Sequence, residues 1–155
     1  MTALLAAIVM WLSANFDLPA TQDYPRIELI AASEITFLRY QAFTPERRRE
    51  VAAALGNAAE DSKRRAVVSV YDDRARTIYL PAGWTGDTPA DLSVLVHEMV
   101  HHMQNVGDLR YECAGAREKM AYEAQEKWLG LSGRDLAGEF DLDPLTLKLS
   151  TSCGF

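Results

Sequence analysis

The sequence predicts an α+β domain in which a small, mostly antiparallel sheet packs against helices. Three observations lead to this prediction: an apolar run with helical spacing opens the chain, a β-hairpin pattern lies near its middle, and two long helical patterns follow the hairpin. The 155 residues are 48% hydrophobic and 25% charged, which suits one domain over residues 1–155 with its own hydrophobic core.

The N-terminal part of the chain predicts three helices and a strand. Its apolar residues recur at helical spacing, so residues 3–14 are expected to form an amphipathic helix rather than an uncleaved leader. Polar and apolar residues alternate over 26–29, as in a short strand. Ser33 is placed to cap the short helix that follows it, and a Thr-Pro pair predicts a further helix over 44–59.

Residues 67–80 predict a β-hairpin. The first strand covers residues 67–71, which are rich in valine, and the turn covers the polar residues 72–74. The second strand covers residues 77–80 and ends at Pro81.

Two long helices are expected after the hairpin. Thr88 as cap and Pro89 in the first turn begin the first of them, and Gly107 ends it. The second runs from about residue 114 to residue 129. The C-terminal tail is expected to form a short helix or an extended segment.

Charge and hydropathy argue against two classes of partner. The net charge is −6, and the densest basic run, ERRRE at residues 46–50, is flanked by acids, so we interpret it as a solvated helix face rather than a nucleic-acid contact. The N-terminal apolar run is about eleven residues long, too short to span a bilayer. Nucleic acid and a membrane span are therefore not expected.

The two cysteines, Cys113 and Cys153, form either a pair of free thiols or one disulfide. The disulfide is favoured because it would pin the C-terminal tail to the domain, closing a loop of about 40 residues and contributing about 3–4 kcal/mol. A disulfide would favour a periplasmic or secreted location, and free thiols a cytoplasmic one.

The five residues from His97 to His101 fit the pattern H-E-x-x-H. On a helix His97 and His101 lie about 40° apart, so both imidazoles can reach one zinc ion. Glu98 is placed beside the first ligand, where its carboxylate can act as the base toward a metal-bound water. His102 lies about 140° around the helix from His97 and is expected off the metal.

The third ligand must come from outside the motif. The continuation H-E-x-x-H-x-x-G-x-x-H fails, because Gln104 stands where its glycine should be and Gly107 where its last ligand should be. The following helix offers Glu118, which is the expected third ligand. The alternatives are Glu123, Glu112 and Asp108.

Other polar residues are expected to support the ligands. Tyr122 and Gln125 share the helix face of Glu118, at i+4 and i+7, and can hold its orientation. His102 is either a neighbour of the ligands or a bystander. Gln104 is expected to make a structural hydrogen bond.

The chain resembles the zincin metallopeptidases, specifically the glutamate-liganded gluzincins, in its residues His97, Glu98, His101 and Glu118. Residues 66–130 are also similar to small bacterial H-E-x-x-H domains. Tyr122 stands where several gluzincin families have aspartate. The resemblance implies a minimal zincin-like fold with the motif on a central helix. It also implies that a hairpin strand, with residues Thr77, Ile78, Tyr79 and Leu80, pairs with extended substrate.

Three classes of function fit these residues. The first is a zinc peptidase acting on peptide or protein substrates, in which Glu98 takes a proton from water and passes it to the leaving amine. Tyr111, Tyr122 and His102 are open candidates for stabilising the oxyanion. The second class is a zinc-binding interaction module without turnover, and the third is a metal-dependent hydrolase of a non-peptide amide.

Overall fold

A computed structural model describes residues 1–41 and 69–154 of the chain. The predicted helix over 44–59, the basic run at 46–50 and the hairpin residues Val67 and Val68 lie outside these segments. The elements within them are α1 (Thr2–Phe16), β1 (Arg26–Ile30), α2 (Ala32–Gln41), β2 (Val70–Asp72), β3 (Thr77–Pro81), α3 (Pro89–Val106), α4 (Ala114–Gly130), α5 (Leu136–Phe140) and α6 (Pro144–Ser150).

This arrangement confirms the predicted α+β class, with one difference in the sheet. The strand order is β1-β3-β2, and β2 and β3 form the predicted antiparallel hairpin. β1 runs parallel to β3, with Arg26 opposite Thr77 and Ile30 opposite Pro81. The sheet is therefore mixed rather than mostly antiparallel, because the long chain between β1 and β3 allows the crossover that a parallel pair needs.

The central position of β3 corrects the prediction that Thr77, Ile78, Tyr79 and Leu80 pair with substrate. β1 pairs with β3 along its whole length, and β2 pairs with Thr77, Ile78 and Tyr79 on the other edge. Over these three residues the strand has no free row of donors and acceptors to offer a peptide. Its side chains form core instead, since Ile78 and Leu80 are fully buried.

The N-terminal helices follow the sequence, with shifts of one or two residues at their ends. α1 buries Leu5, Ile8 and Leu12 on one face, as the amphipathic pattern predicts. α2 begins at Ala32, two residues earlier than a cap at Ser33 would place it, and Glu34 accepts a hydrogen bond from the Ala31 backbone N–H. Among the described helices, none combines the length and apolarity that crossing a membrane requires.

α3 is the central helix and carries the histidine motif. Thr88 caps it by accepting a hydrogen bond from the backbone N–H of Asp91, and Pro89 occupies the first turn. Every residue from Ser93 to Gln104 is buried. A helix that is covered on all sides holds its polar side chains away from water, so each of them needs a specific partner.

α4 packs against α3 and brings the second half of the site to it. Ala121 and Ala124 are fully buried between them, and their small side chains let the two helices approach closely. The Cys113 sulfur accepts a hydrogen bond from the first turn of α4 and is joined to Cys153 by the disulfide that the sequence favours. The tail between them forms the two short helices α5 and α6.

Candidate metal centre

His97 and His101 on α3 converge with Glu118 on α4. The Nε2 atom of His97 lies 3.3 Å from Glu118 Oε2, and the Nε2 atom of His101 lies 3.1 Å from Glu118 Oε1. One ligand atom from each residue lies within 4.8 Å of the others, a spacing that could hold one metal ion. The structure thus brings together the two histidines and the glutamate expected as third ligand.

The alternative third ligands lie outside this group. Glu123 points to the other side of α4, where its carboxylate lies 3.9 Å from Lys119 Nζ on the exposed surface. Glu112 and Asp108 precede α4, and neither belongs to the converging set. The periodicity of α4 explains the difference, because positions 118 and 123 are separated by about 140° around a helix.

Each imidazole of the group is held by a buried glutamine. His97 Nδ1 lies 3.0 Å from Gln125 Oε1, and His101 Nδ1 lies 3.0 Å from Gln104 Oε1. Both glutamines are at most 3% exposed. The Nδ1 side of each ring is therefore committed to the protein, and the Nε2 side faces Glu118.

The orientation of the Gln125 amide follows from its other partner. Its Nε2 group donates to the Ser93 hydroxyl at 3.3 Å, and that hydroxyl donates its own proton to the carbonyl of Ala90 at 2.8 Å. Ser93 can thus only accept from Gln125, so the carbonyl oxygen of the amide faces His97. His97 must then carry its proton on Nδ1, which leaves the Nε2 lone pair free for a metal.

Gln104 fixes His101 in the same way through Arg117. The Gln104 amide nitrogen donates to the Arg117 carbonyl, and the Gln104 carbonyl accepts from Arg117 Nε, both at 3.2 Å. Arg117 is itself held by two bonds to the Asp73 carboxylate, at 2.8 and 2.5 Å. The turn of the β-hairpin is therefore linked through Arg117 and Gln104 to the second histidine.

The two imidazoles and the Glu118 carboxylate require a positive charge between them. With both Nδ1 atoms protonated, two neutral imidazoles would direct Nε2 lone pairs at a carboxylate. Burial alone would lower the pKa of His101, but the hydrogen bond to Glu118 and its charge raise it above the ordinary value. Burial would raise the pKa of Glu118, but hydrogen bonds from His101 and His97 lower it well below its usual range. Two nitrogens and one carboxylate fit a divalent metal in place of these protons.

Glu98 lies beside this group but is not part of it. It is 2% exposed, and its Oε1 atom accepts a hydrogen bond from the Ser69 hydroxyl at 2.5 Å. Ser69 is held in turn by Arg39, whose Nε donates to its carbonyl oxygen at 3.0 Å. Glu98 and His97 line the same cavity of about 150 Å³.

Tyr122 stands over His97 at this cavity. The two rings meet edge to face, with centroids 4.7 Å apart and planes at 75°. Burial raises the pKa of Tyr122, so its hydroxyl remains a proton donor at neutral pH. Tyr111, a second tyrosine considered for the oxyanion, lies elsewhere, with its hydroxyl directed at the sulfur of Met120.

His102 lies away from the ligands and has a structural role. Its Nε2–H donates to the Asp23 carbonyl at 2.5 Å, and its Nδ1 accepts from the Tyr71 hydroxyl at 3.0 Å. Burial lowers the pKa of His102, which keeps it neutral in this site. Of the two alternatives for His102, the structure therefore supports the bystander rather than a neighbour of the ligands or the oxyanion, because its position on the helix turns it toward the N-terminal segment.

Several residues of the site were not predicted from sequence. Ser69 and Arg39 meet Glu98 through tertiary contacts, for which no helical or strand spacing gives a signal. The sequence gives a partial signal for Arg117, because a cation next to an expected metal ligand indicates that an acidic partner lies nearby. Its partner Asp73 was interpreted only as a turn residue, and the structure joins the two by an ion pair.

Comparison with known proteins gives one match. The sequence model of a protein family described as "Domain of unknown function (DUF6647)" matches residues 1–155. No curated protein and no solved structure matches the chain. A function must therefore be argued from the site.

Proposed function

We propose that this chain, which belongs to the family described as "Domain of unknown function (DUF6647)", is a zinc-dependent hydrolase that cleaves peptide bonds. One observation carries the proposal. The ligand group formed by His97, His101 and Glu118 adjoins a cavity that is also lined by a separate carboxylate, that of Glu98. The resemblance of these four residues to the gluzincins supports the same reaction.

The number of metal-binding side chains favours a catalytic zinc site over a structural one. Among the residues that the structure describes, the converging group contains three metal-binding side chains, and structural zinc sites are usually closed by four. When bound, zinc would lower the pKa of a water molecule and polarise the carbonyl of the scissile bond. A separate base would have no use in an interaction module, which makes that alternative less favoured.

Glu98 is proposed as the general base and acid. Ser69 occupies its Oε1 atom, so Oε2 is the oxygen that takes a proton from the attacking water. The same proton then passes to the nitrogen of the leaving amine as the peptide bond breaks. Because the serine hydroxyl fixes the carboxyl plane, Glu98 does not have to reorient between the two transfers.

Tyr122 is proposed as the donor that stabilises the oxyanion. Of the three residues considered from sequence, it is the one that lines the cavity with His97 and Glu98. Its hydroxyl retains its proton and can donate to the oxygen of the carbonyl as negative charge develops there. Its ring also packs edge to face against His97.

The test compares the protein with its Glu98→Gln variant on a mixed peptide library, with cleavage read by mass spectrometry. We expect both to retain about one zinc per chain, and the variant to lose about 10²-fold or more of the cleavage rate. Glu112→Gln is the matched control, since Glu112 is exposed and lies outside both the ligand group and the cavities beside it, and it should cleave as the parent does. Equal cleavage by Glu98→Gln, or none by the zinc-loaded parent, would overturn the proposal; a non-peptide amide would then be the substrate to test.

A further inference from the structure

Among the described residues, Arg39 is the cation that lines the cavity beside the ligands, and it is joined there by three apolar side chains. Arg39, at the end of α2, contributes the cation, and Val94, Phe140 and Leu142 contribute the apolar surface. Neither feature is needed to hold a metal or to move a proton. Together they describe what kind of group the cavity would accept.

The charge of Arg39 acts within this cavity. Its Nε is bound to the carbonyl of Ser69, which fixes the guanidinium next to the residue that orients Glu98. Arg39 lines the cavity together with Glu98 and Tyr122, so its charge lies beside the groups proposed to act on the substrate.

We infer that the cavity binds the C-terminal residue of a peptide, with its free carboxylate paired to Arg39 and its apolar side chain against Val94, Phe140 and Leu142. The inference rests on the proposed function and narrows it: the hydrolase would release single apolar residues from the C-terminus of its substrate. The bond cleaved is then the last peptide bond of the chain, whose products are the shortened peptide and a free amino acid.

Size and charge both favour this occupant. A cavity of about 150 Å³ that has Val94, Phe140 and Leu142 among its walls has room for a group of the size of benzene, which matches the side chains of leucine, methionine and phenylalanine. The guanidinium of an arginine matches the geometry of a carboxylate with two parallel hydrogen bonds. Arg39 would also offset the repulsion between that carboxylate and Glu98.

The rest of the peptide has a place to lie. A larger depression of about 750 Å³ adjoins the cavity, and Tyr122 and Leu142 line both. Its lining includes Lys119 and Glu123 from α4 and Leu136 and Leu147 from the two short C-terminal helices. The residues upstream of the cleaved bond would occupy this depression, while the C-terminal residue fills the smaller cavity.

The test uses zinc-loaded protein and peptides that differ at one end. Each peptide ends in leucine or lysine, as a free acid or as an amide. We expect cleavage of the last bond of the free acid ending in leucine, with the amide at least about tenfold slower. Affinity is measured separately by calorimetry on the inactive Glu98→Gln protein, where the free acid should bind about tenfold more tightly than the amide.

Arg39→Gln tests the cation, because the glutamine amide can still donate to the Ser69 carbonyl while the charge is lost. In the Glu98→Gln background it should reduce the preference for the free acid to less than about threefold and leave binding of the amide unchanged. Arg39→Lys should keep part of the preference.

The outcomes separate this inference from the proposed function. Cleavage at internal bonds, dependent on Glu98 but indifferent to a free C-terminus, would overturn the inference and leave the peptidase intact. Preferential binding of the free acid through Arg39, without cleavage of any peptide, would support the binding of a C-terminal residue in the cavity and overturn the peptidase. Equal binding of acid and amide would overturn the inference.

Discussion

Gln125 holds His97 in the tautomer that a metal ion requires. The amide oxygen of Gln125 lies 3.0 Å from His97 Nδ1, and the Ser93 hydroxyl fixes the amide from its other end. The proton of the imidazole is thereby kept on the side away from Glu118. The candidate metal centre thus depends on a buried glutamine as well as on its three ligands.

Removing this amide should weaken metal binding without removing a ligand. We expect Gln125→Met, which has a similar volume, to lower zinc affinity by about 10–100-fold. Gln125→Glu should retain most of the affinity, because a carboxylate also accepts from His97 Nδ1. Competition with a chromophoric chelator measures both variants. An affinity unchanged in Gln125→Met would show that the tautomer is set by something else.

Glu118 and Glu123 provide a matched pair on one helix. Glu118→Gln should lower zinc affinity by about 100-fold or more, because it removes the negatively charged metal ligand that faces both histidines. Glu123→Gln changes the same residue type on the exposed side of α4 and should leave affinity within about twofold. Loss of zinc in the second variant rather than the first would place the third ligand elsewhere.

The hydroxyl of Ser69 should affect the rate of peptide cleavage but not the binding of zinc. Ser69→Ala leaves Glu98 without its fixed partner, so we expect kcat to fall about tenfold while zinc stoichiometry is unchanged. Ser69→Thr keeps a hydroxyl and should recover most of the rate. Steady-state kinetics on a cleaved peptide, with metal analysis of the same samples, gives both readouts. A Ser69→Ala variant as fast as the parent would remove Ser69 from the mechanism.

His102 should contribute to stability alone. His102→Ala leaves the Tyr71 hydroxyl and the Asp23 carbonyl without their buried partner, and should reduce the free energy of unfolding by about 2–4 kcal/mol. The folded fraction should still bind zinc with the affinity of the parent. Urea unfolding and zinc titration test these two parts. His97→Ala, the comparison within the same helix, should lose zinc affinity instead.

The disulfide should stabilise the fold without forming part of the site. Cys113 and Cys153 are 40 residues apart, and closing a loop of that length contributes about 3–4 kcal/mol. The Cys153→Ser variant should therefore have a free energy of unfolding that is lower by this amount, and it should unfold at a lower urea concentration. Zinc affinity measured well below the unfolding transition should be unchanged, and its loss would connect the first turn of α4 directly to Glu118.

The ligands were predictable because they follow helical periodicity. His97 and His101 share a face of one helix, and Glu118 and Gln125 share a face of the next, so local spacing is sufficient to group them. That the two faces meet depends on packing, which the small residues of α4 favour. The cap at Thr88 and the proline at the first helical position, Pro89, were predictable because they too are local signals.

The remaining features depend on which distant segments become neighbours. A hairpin pattern specifies that β2 pairs with β3, but not that β1 takes the other edge of β3 and closes it to substrate. The contacts of Ser69 with Glu98 and of Asp73 with Arg117 likewise join segments separated by a long stretch of chain. No rule of spacing relates such pairs, so these contacts required the structure.

The most direct test of the account is anomalous diffraction from crystals grown with zinc. We predict one zinc ion per chain, bound by His97, His101 and Glu118, with Glu98 outside the coordination shell and one position left to water. Zinc bound elsewhere on the chain, or closed off at this site by a fourth protein ligand, would contradict the proposed hydrolase.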